Sequence, residues 1–278
     1  MRASAQLLGL LIMACWPVSY TYAYGPLGHQ IVGDIAASYL CDRAATRVHG
    51  LLDGESLGRA SRWADWIRSE PKWRKSLPWH FINVADDGDV ADATGRSGGD
   101  VIWAIRKFRD ELADSDLDKS RRARALRFLA HFVADVHQPL HVGRQEDRGG
   151  NKIAVVIDGR VSNLHRFWDA QWLLKQDRKQ RGYAMAGQVA SIRALAAGRI
   201  DAWQSAGVLE WARESQALRP TVYAFGSASP AELDAQYTTA ALKISRERLS
   251  AAGVRLAGLL NHIFCKDPGS RSLPDDLE

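Results

Sequence analysis

Residues 131–141, His-Phe-Val-Ala-Asp-Val-His-Gln-Pro-Leu-His, put three imidazoles and one carboxylate into a single apolar stretch. The stretch has the composition of a buried helix. His131 and Asp135 are four apart and so project from one helical face, one turn from each other. Pro139 ends the helix and lets His141 turn back toward the same point. An unpaired carboxylate in such surroundings is costly, so a metal ion or a charge partner is implied. Imidazole and carboxylate are the ligands zinc takes where no thiolate is offered. Taken alone, the stretch is equally compatible with an ordinary helix carrying chance histidines.

The rest of the chain supplies matching groups. His165 and Asp169 repeat the His-x-x-x-Asp spacing, with His141 between the two pairs. Upstream stand Asp65 in Arg-Trp-Ala-Asp-Trp, His80 in Pro-Trp-His-Phe, and His29 in Tyr-Gly-Pro-Leu-Gly-His. Five of the eight histidines thus lie in aromatic or glycine-rich contexts beside aspartates. His49, His137 and His262 lack such company and are expected at the surface or as supports behind the site.

Residues 1–23 begin Met-Arg, continue with an apolar run too short to span a bilayer, and end Thr-Tyr-Ala. This pattern predicts a signal peptide cleaved before Tyr24, and so an exported protein, periplasmic or secreted. Nothing later reaches the roughly 18 uninterrupted apolar residues of a membrane helix. Export would remove Cys15 and leave Cys41 and Cys265, either one disulfide or two buried thiols. The net charge of +5 permits attraction to an anionic partner without requiring one.

Helical periodicity dominates from Leu27 onward, so a mainly α fold is expected: one helical bundle over residues 24–265. Helices are predicted near 43–53, 60–69, 100–114, 119–138, 165–176, 181–197, 200–216 and 230–263. One short β-hairpin is predicted near 152–164, turning at Asp158-Gly159. Residues 86–100 are rich in Gly and Asp but lack the spacing of a twelve-residue calcium loop, and are expected to be a solvated loop. Residues 266–278 are expected to be a disordered tail.

Six motifs, in order, resemble the S1/P1 nuclease family: Gly-x-x-Gly-His, Trp-Ala-Asp, Trp-His-Phe, His-Phe-x-x-Asp-x-x-Gln-Pro-Leu-His, Gly-Gly-Asn and Asn-Leu-His-x-x-Trp-Asp. The resemblance implies the helical fold shared with zinc phospholipases C, and three zinc ions. Asp65, His80, His131 and Asp135 would hold one ion; His141, His165 and Asp169 a second. The third would use His29, a bridging Asp135, and the amino nitrogen and carbonyl oxygen of Tyr24, where the family usually has Trp. The implied reaction is hydrolysis of single-stranded DNA and RNA by a zinc-held hydroxide, giving 5′-phosphate products, with 3′-nucleotidase activity beside it.

In this reading Asp65, Arg68 and Asp135 serve catalysis, Arg68 by contacting phosphate. Phe81 stacks on a base, while Asn83 and Asn151 hydrogen-bond it. Fungal members carry Asp at the position of Asn83; an amide both donates and accepts, so a changed or relaxed base preference is expected. Stacking suits single strands, whose base faces are free. The implied partners are single-stranded nucleic acid and nucleotides, with no stable protein partner and a monomeric chain. Two alternatives share the ligands: a zinc phospholipase C and a non-catalytic zinc-binding protein.

Overall fold

The structure, a computed structural model, describes residues 24–157, 159–171 and 185–265. The expected signal peptide, the tail after Cys265, the turn residue Asp158 and parts of two predicted helices lie outside these residues. The described chain is mainly α-helical, with five short strands.

Helix α7 (Lys119–Val136) is the centre of the packing. Asp118 caps its start by accepting from the Arg121 amide at 2.9 Å. From Phe128 to Val136 every residue is buried, so this half of the helix has no solvent face. Helix α1 (Gly25–Ala37), α2 (Asp42–Leu51), α3 (Leu57–Ala60), α4 (Trp63–Ile67) and α6 (Val101–Ala113) all pack on α7. On one side of α7, Phe108 stacks on Phe128 with centroids 4.5 Å apart, and Phe132 continues the aromatic layer.

The long C-terminal helix Ala235–Cys265 lies along α1. A Cβ at Gly253 would come within 2.4 Å of the Ile35 side chain, so glycine allows this close approach. Cys41, at the start of α2, is disulfide-bonded to Cys265, which decides the pairing left open above. Closing a chain separation of 224 residues stabilises the fold by up to about 5 kcal/mol in the chain-entropy treatment.

Several predicted helices are broken. The segment expected at 60–69 is α3 and α4, separated by Ser61, whose hydroxyl donates to the His29 carbonyl at 2.7 Å. The one expected at 200–216 is Ile200–Gln204 and Val208–Ala217, parted at Gly207. The predicted loop 86–100 contains a single helical turn, α5 (Val90–Ala93). In the segment from 165, α8 (Leu164–Arg166) passes into a π-helical turn, Phe167–Gln171.

Two small sheets bring distant loops together. Strand β1 (Ile82–Asn83) pairs parallel with β2 (Val142–Gly143) in the register Ile82–Val142 and Asn83–Gly143. The predicted hairpin is β3 (Ala154–Ile157) with β4 (Arg160–Asn163), and β5 (Ala231–Glu232) adds to β3 in parallel. No helix among the described residues is long and apolar enough to cross a membrane.

Behind the end of α7 is a buried ionic network. Arg255 grips Glu214 through two bonds of 2.6 and 2.7 Å, and Arg248 also pairs with Glu214. Arg255 donates to His137 Nε2 at 2.8 Å, and Arg248 to the His137 carbonyl at 3.2 Å. Burial alone would raise the Glu214 carboxyl, but the Arg255 hydrogen bonds and the two guanidinium charges override it and hold the group below its ordinary range. A lowered folded-state pKa means stability that is present above the unfolded glutamate value and fades as pH falls through it. Glu214→Gln is therefore expected to cost about 2 kcal/mol at neutral pH, with the gap from the parent narrowing in acid. Urea denaturation at several pH values tests this, and equal stability at neutral pH would contradict it.

Candidate metal centre

Each ligand candidate reaches the site by a separate local cause. His131 and Asp135 come from the solvent-free half of α7. The parallel β1–β2 pairing sets Phe81 and Asn83 beside His141 and Gly143. The β3–β4 hairpin returns the chain so that His165 follows Asn163, whose side chain caps α8 by accepting from the Arg166 amide at 2.8 Å. The Gly149-Gly150 turn then meets His165. Both glycines have positive φ, 59° and 80°, and a Cβ at Gly149 would strike the Leu140 carbonyl oxygen at 2.4 Å.

The eight side chains named as ligands lie in one buried cluster. His29, His131 and Asp135 form one group, Asp65, His80 and His131 a second, and His141, His165 and Asp169 a third. Within each group the donor atoms lie within 4.8 Å of one another. Asp135 stands between groups: Oδ2 is 2.9 Å from His80 Nδ1 and 3.2 Å from His131 Nε2, while Oδ1 is 3.4 Å from His29 Nε2. In the third group, His165 Nε2 is 3.4 Å and His141 Nε2 3.9 Å from the Asp169 carboxylate. Two ligands about 2.1 Å from a tetrahedral zinc stand roughly 3.4 Å apart, so these spacings suit such an ion.

Hydrogen bonds aim the imidazoles. His131 Nδ1 meets the Ser61 carbonyl at 2.8 Å, His141 Nδ1 the His80 carbonyl at 2.6 Å, and His165 Nδ1 the Gly149 carbonyl at 2.6 Å. A carbonyl only accepts, so each Nδ1 carries the hydrogen and each Nε2 turns a lone pair inward. His141 Nε2, His80 Nε2 and Asp169 Oδ2 are buried with no hydrogen-bond partner among the described residues. Gln138 donates to Asp169 Oδ1 at 2.7 Å and orients that carboxylate.

The electrostatics suit a bound cation. Burial raises the Asp65 carboxyl to about 6, against the pull of His131 and Arg68. Burial also pushes Asp135 and Asp169 well above the ordinary carboxylate range. It lowers His80 and His141 well below the usual imidazole value and His165 to about 4. Divalent ions at this cluster would reverse that balance and keep the carboxylates ionised. The donor set fits metal.

Beside the cluster opens a cavity of about 620 Å³. Arg68, His80, His141 and His165 form its wall on the side of the cluster, and Phe81, Asn83 and Asn151 also line it. Arg68 is buried and pairs with Asp65 at 3.2 Å. Phe81 is 39% exposed, so its ring is open to the cavity and not enclosed in the core. Tyr24 is wholly buried and its hydroxyl donates to the His137 carbonyl at 3.1 Å. His137 is buried in the network behind α7, whereas His49 is exposed.

The family model described as S1/P1 Nuclease matches residues 24–265. The chain belongs to the S1/P1 nuclease family. It is 30% identical over 273 residues to Endonuclease 2 of Arabidopsis thaliana, covering 87% of this chain and 91% of that protein. It is 39% identical over 157 residues to Nuclease P1 of Penicillium citrinum, spanning 52% of this chain and 57% of that one. To Nuclease S1 of Aspergillus oryzae it is 35% identical over 157 residues, or 54% of each. The chain is accordingly a nuclease hydrolase, with nucleic acid as its substrate class, and buried His/Asp groups that could bind metal.

Within this S1/P1 site the motifs pointed to all eight side chains that meet in the buried cluster but assigned no role to Ser61, Gln138 or Arg219. Arg219 is buried and clamps β2 through the Val142 and Gly143 carbonyls at 2.7 and 2.9 Å. Gln138 had a local signal in the Gln-Pro-Leu-His motif; the other two had none. Because Asp135 touches more of the cluster than Asp169, Asp135→Asn is expected to lose more bound metal than Asp169→Asn. Elemental analysis of the purified variants tests this, and equal losses would place Asp135 in a single group.

Proposed function

We propose that this chain is an exported zinc-dependent phosphodiesterase. It would hydrolyse single-stranded DNA and RNA to 5′-phosphate products and also remove 3′-phosphates from nucleotides. The observation that carries the reading is the inward set of Nε2 lone pairs beside three buried carboxylates, next to a cavity with an exposed aromatic ring.

Asp65, His80, His131 and Asp135 would hold one zinc, and His141, His165 and Asp169 a second. His29, Asp135 and the amine and carbonyl of Tyr24 in the chain processed before Tyr24, at the start of the nuclease domain 24–265, would hold a third. Tyr serves there as well as Trp because the ligands are main-chain atoms. When bound, zinc supplies acidity to water and offsets charge on the phosphoryl oxygens, so no side-chain nucleophile is required.

The chain's own groups do the rest. Arg68, buried beside Asp65, presents a guanidinium to the phosphate, where partial burial strengthens a charge-assisted bond. Phe81 offers a stacking face that any base can use, and Asn83 and Asn151 offer amides to the base edge. Leu77 and Leu140 give the cavity apolar lining that limits water. The shared ligand set also suits a phospholipase C, but the Phe81 and Gly-Gly-Asn wall favours nucleic acid.

The zinc-loaded protein is expected to cleave single-stranded RNA and DNA and to leave phosphatidylcholine vesicles intact, as product analysis would show. Lipid cleavage without RNA cleavage would overturn the reading, and a purified protein without zinc would overturn its metal part. One extra residue before Tyr24 should lower zinc content and activity strongly; equal values in both forms would remove the N-terminal ligand.

A further inference from the structure

The cavity beside the cluster contains a second cation that the motifs did not single out. Its lining includes Arg68 and Arg148 but no carboxylate, so the wall as a whole suits an anion. Arg68 is already committed to Asp65 at 3.2 Å. The Arg148 side chain has no hydrogen bond, ion pair or ring contact to any described residue. Its two acidic neighbours do not line the cavity, and Asp147 is engaged by the Gly150 amide at 2.7 Å.

The backbone at Arg148 adds an independent observation. Residues 148, 149 and 150 form a run of positive φ, at 55°, 59° and 80°. Glycine occupies the second and third positions, where the left-handed region is free to it. At the first stands an arginine, a conformation that costs an L-residue about 1 kcal/mol.

The loop holds Arg148 there firmly. Its amide donates to the Gln145 carbonyl at 3.2 Å, and its carbonyl accepts from Asn151 Nδ2 at 2.8 Å. At the base of the loop, Arg144 lies over the Tyr223 ring at 4.0 Å and bonds Asp86 at 2.7 Å. A strained arginine on a braced loop, aimed at an anion-compatible cavity, is what a preset phosphate contact requires.

We propose that Arg148 binds a backbone phosphate flanking the scissile one, which makes the 144–152 loop a second phosphate subsite for the strand. The inference rests on the cavity being the strand-binding cleft. It adds length dependence to that reading: substrates carrying the flanking phosphate gain a contact that shorter ones lack.

Kinetics of Arg148→Gly and Arg148→Lys on a short single-stranded oligonucleotide test this. Arg148→Gly is expected to raise KM about five- to tenfold with kcat within about twofold, the loss of one charged hydrogen bond. The dependence of log kcat/KM on log salt should become shallower by about 0.7, one phosphate contact fewer. Arg148→Lys, which keeps the charge, should retain most of the salt slope and recover part of KM.

The melting temperature of Arg148→Gly should stay within about 2 °C of the parent's, since relief of the left-handed strain offsets the added freedom of the unfolded chain. A merely structural arginine would lower the melting point and leave the salt slope alone. A neutral methylphosphonate at the flanking linkage should weaken the parent as much as Arg148→Gly does, with little further loss when both changes are combined.

Unchanged KM and salt slope in Arg148→Gly, with a parent that cleaves the oligonucleotide, would overturn the subsite. A parent that cleaves no single strand would overturn the cleft reading and the subsite with it, and the parent's own inactivity tells that failure from the first.

Discussion

The fold is organised around a costly act: placing His131 and Asp135 on a helical face with no access to water. In apolar surroundings a carboxylate is unstable unless something supplies positive charge, and an imidazole resists protonation. The surrounding elements answer that need by delivering donors of one kind. His29, His80, His141 and His165 arrive from four separate segments, and backbone carbonyls on the far side of the ring set the inward nitrogens of His141 and His165, as one does for His131. The result is a pocket of lone pairs and acids that has chemical sense only around cations.

The opposite face of the same helix end is built from the opposite charge. Arg248 and Arg255 converge on His137, and both pair with the one Glu214 carboxylate, which offsets part of their charge. His137 Nδ1 donates to the Val133 carbonyl at 2.7 Å, so its remaining nitrogen accepts from Arg255. Four residues further along, His141 faces the other way with the reverse duty. Tyr24 is tied into this rear support through its hydroxyl, which anchors the residue expected to begin the mature chain.

The candidate site was unusually legible because its chemistry depends on side-chain type at local spacings. Two His-x-x-x-Asp pairs and a Gln-Pro-Leu-His turn are visible without any knowledge of packing. The hairpin was legible for the same reason, from β-branched residues on either side of a turn. Less visible were features that depend on what comes alongside. The break at Ser61 follows from its bond to the His29 carbonyl, thirty-two residues away in the chain. The two-residue parallel strands β1 and β2 have no strand signature; they exist because Val142 and Gly143 are clamped by Arg219.

The amino-acid sequence by itself determined the helical class, the candidate His and Asp set and the family resemblance, because periodicity and motif spacing are local properties of the chain. Tertiary structure alone decided which of these groups meet, since Asp135 contacts both His80 and His29 at distances that no spacing encodes. It likewise decided that Cys41 meets Cys265 and that Phe81 lies open at the cavity. It also set Arg148, indistinguishable in sequence from any surface arginine, at the wall of the site. The physical reason is the same in each case: those properties belong to the distances between segments, and only the packed core sets them.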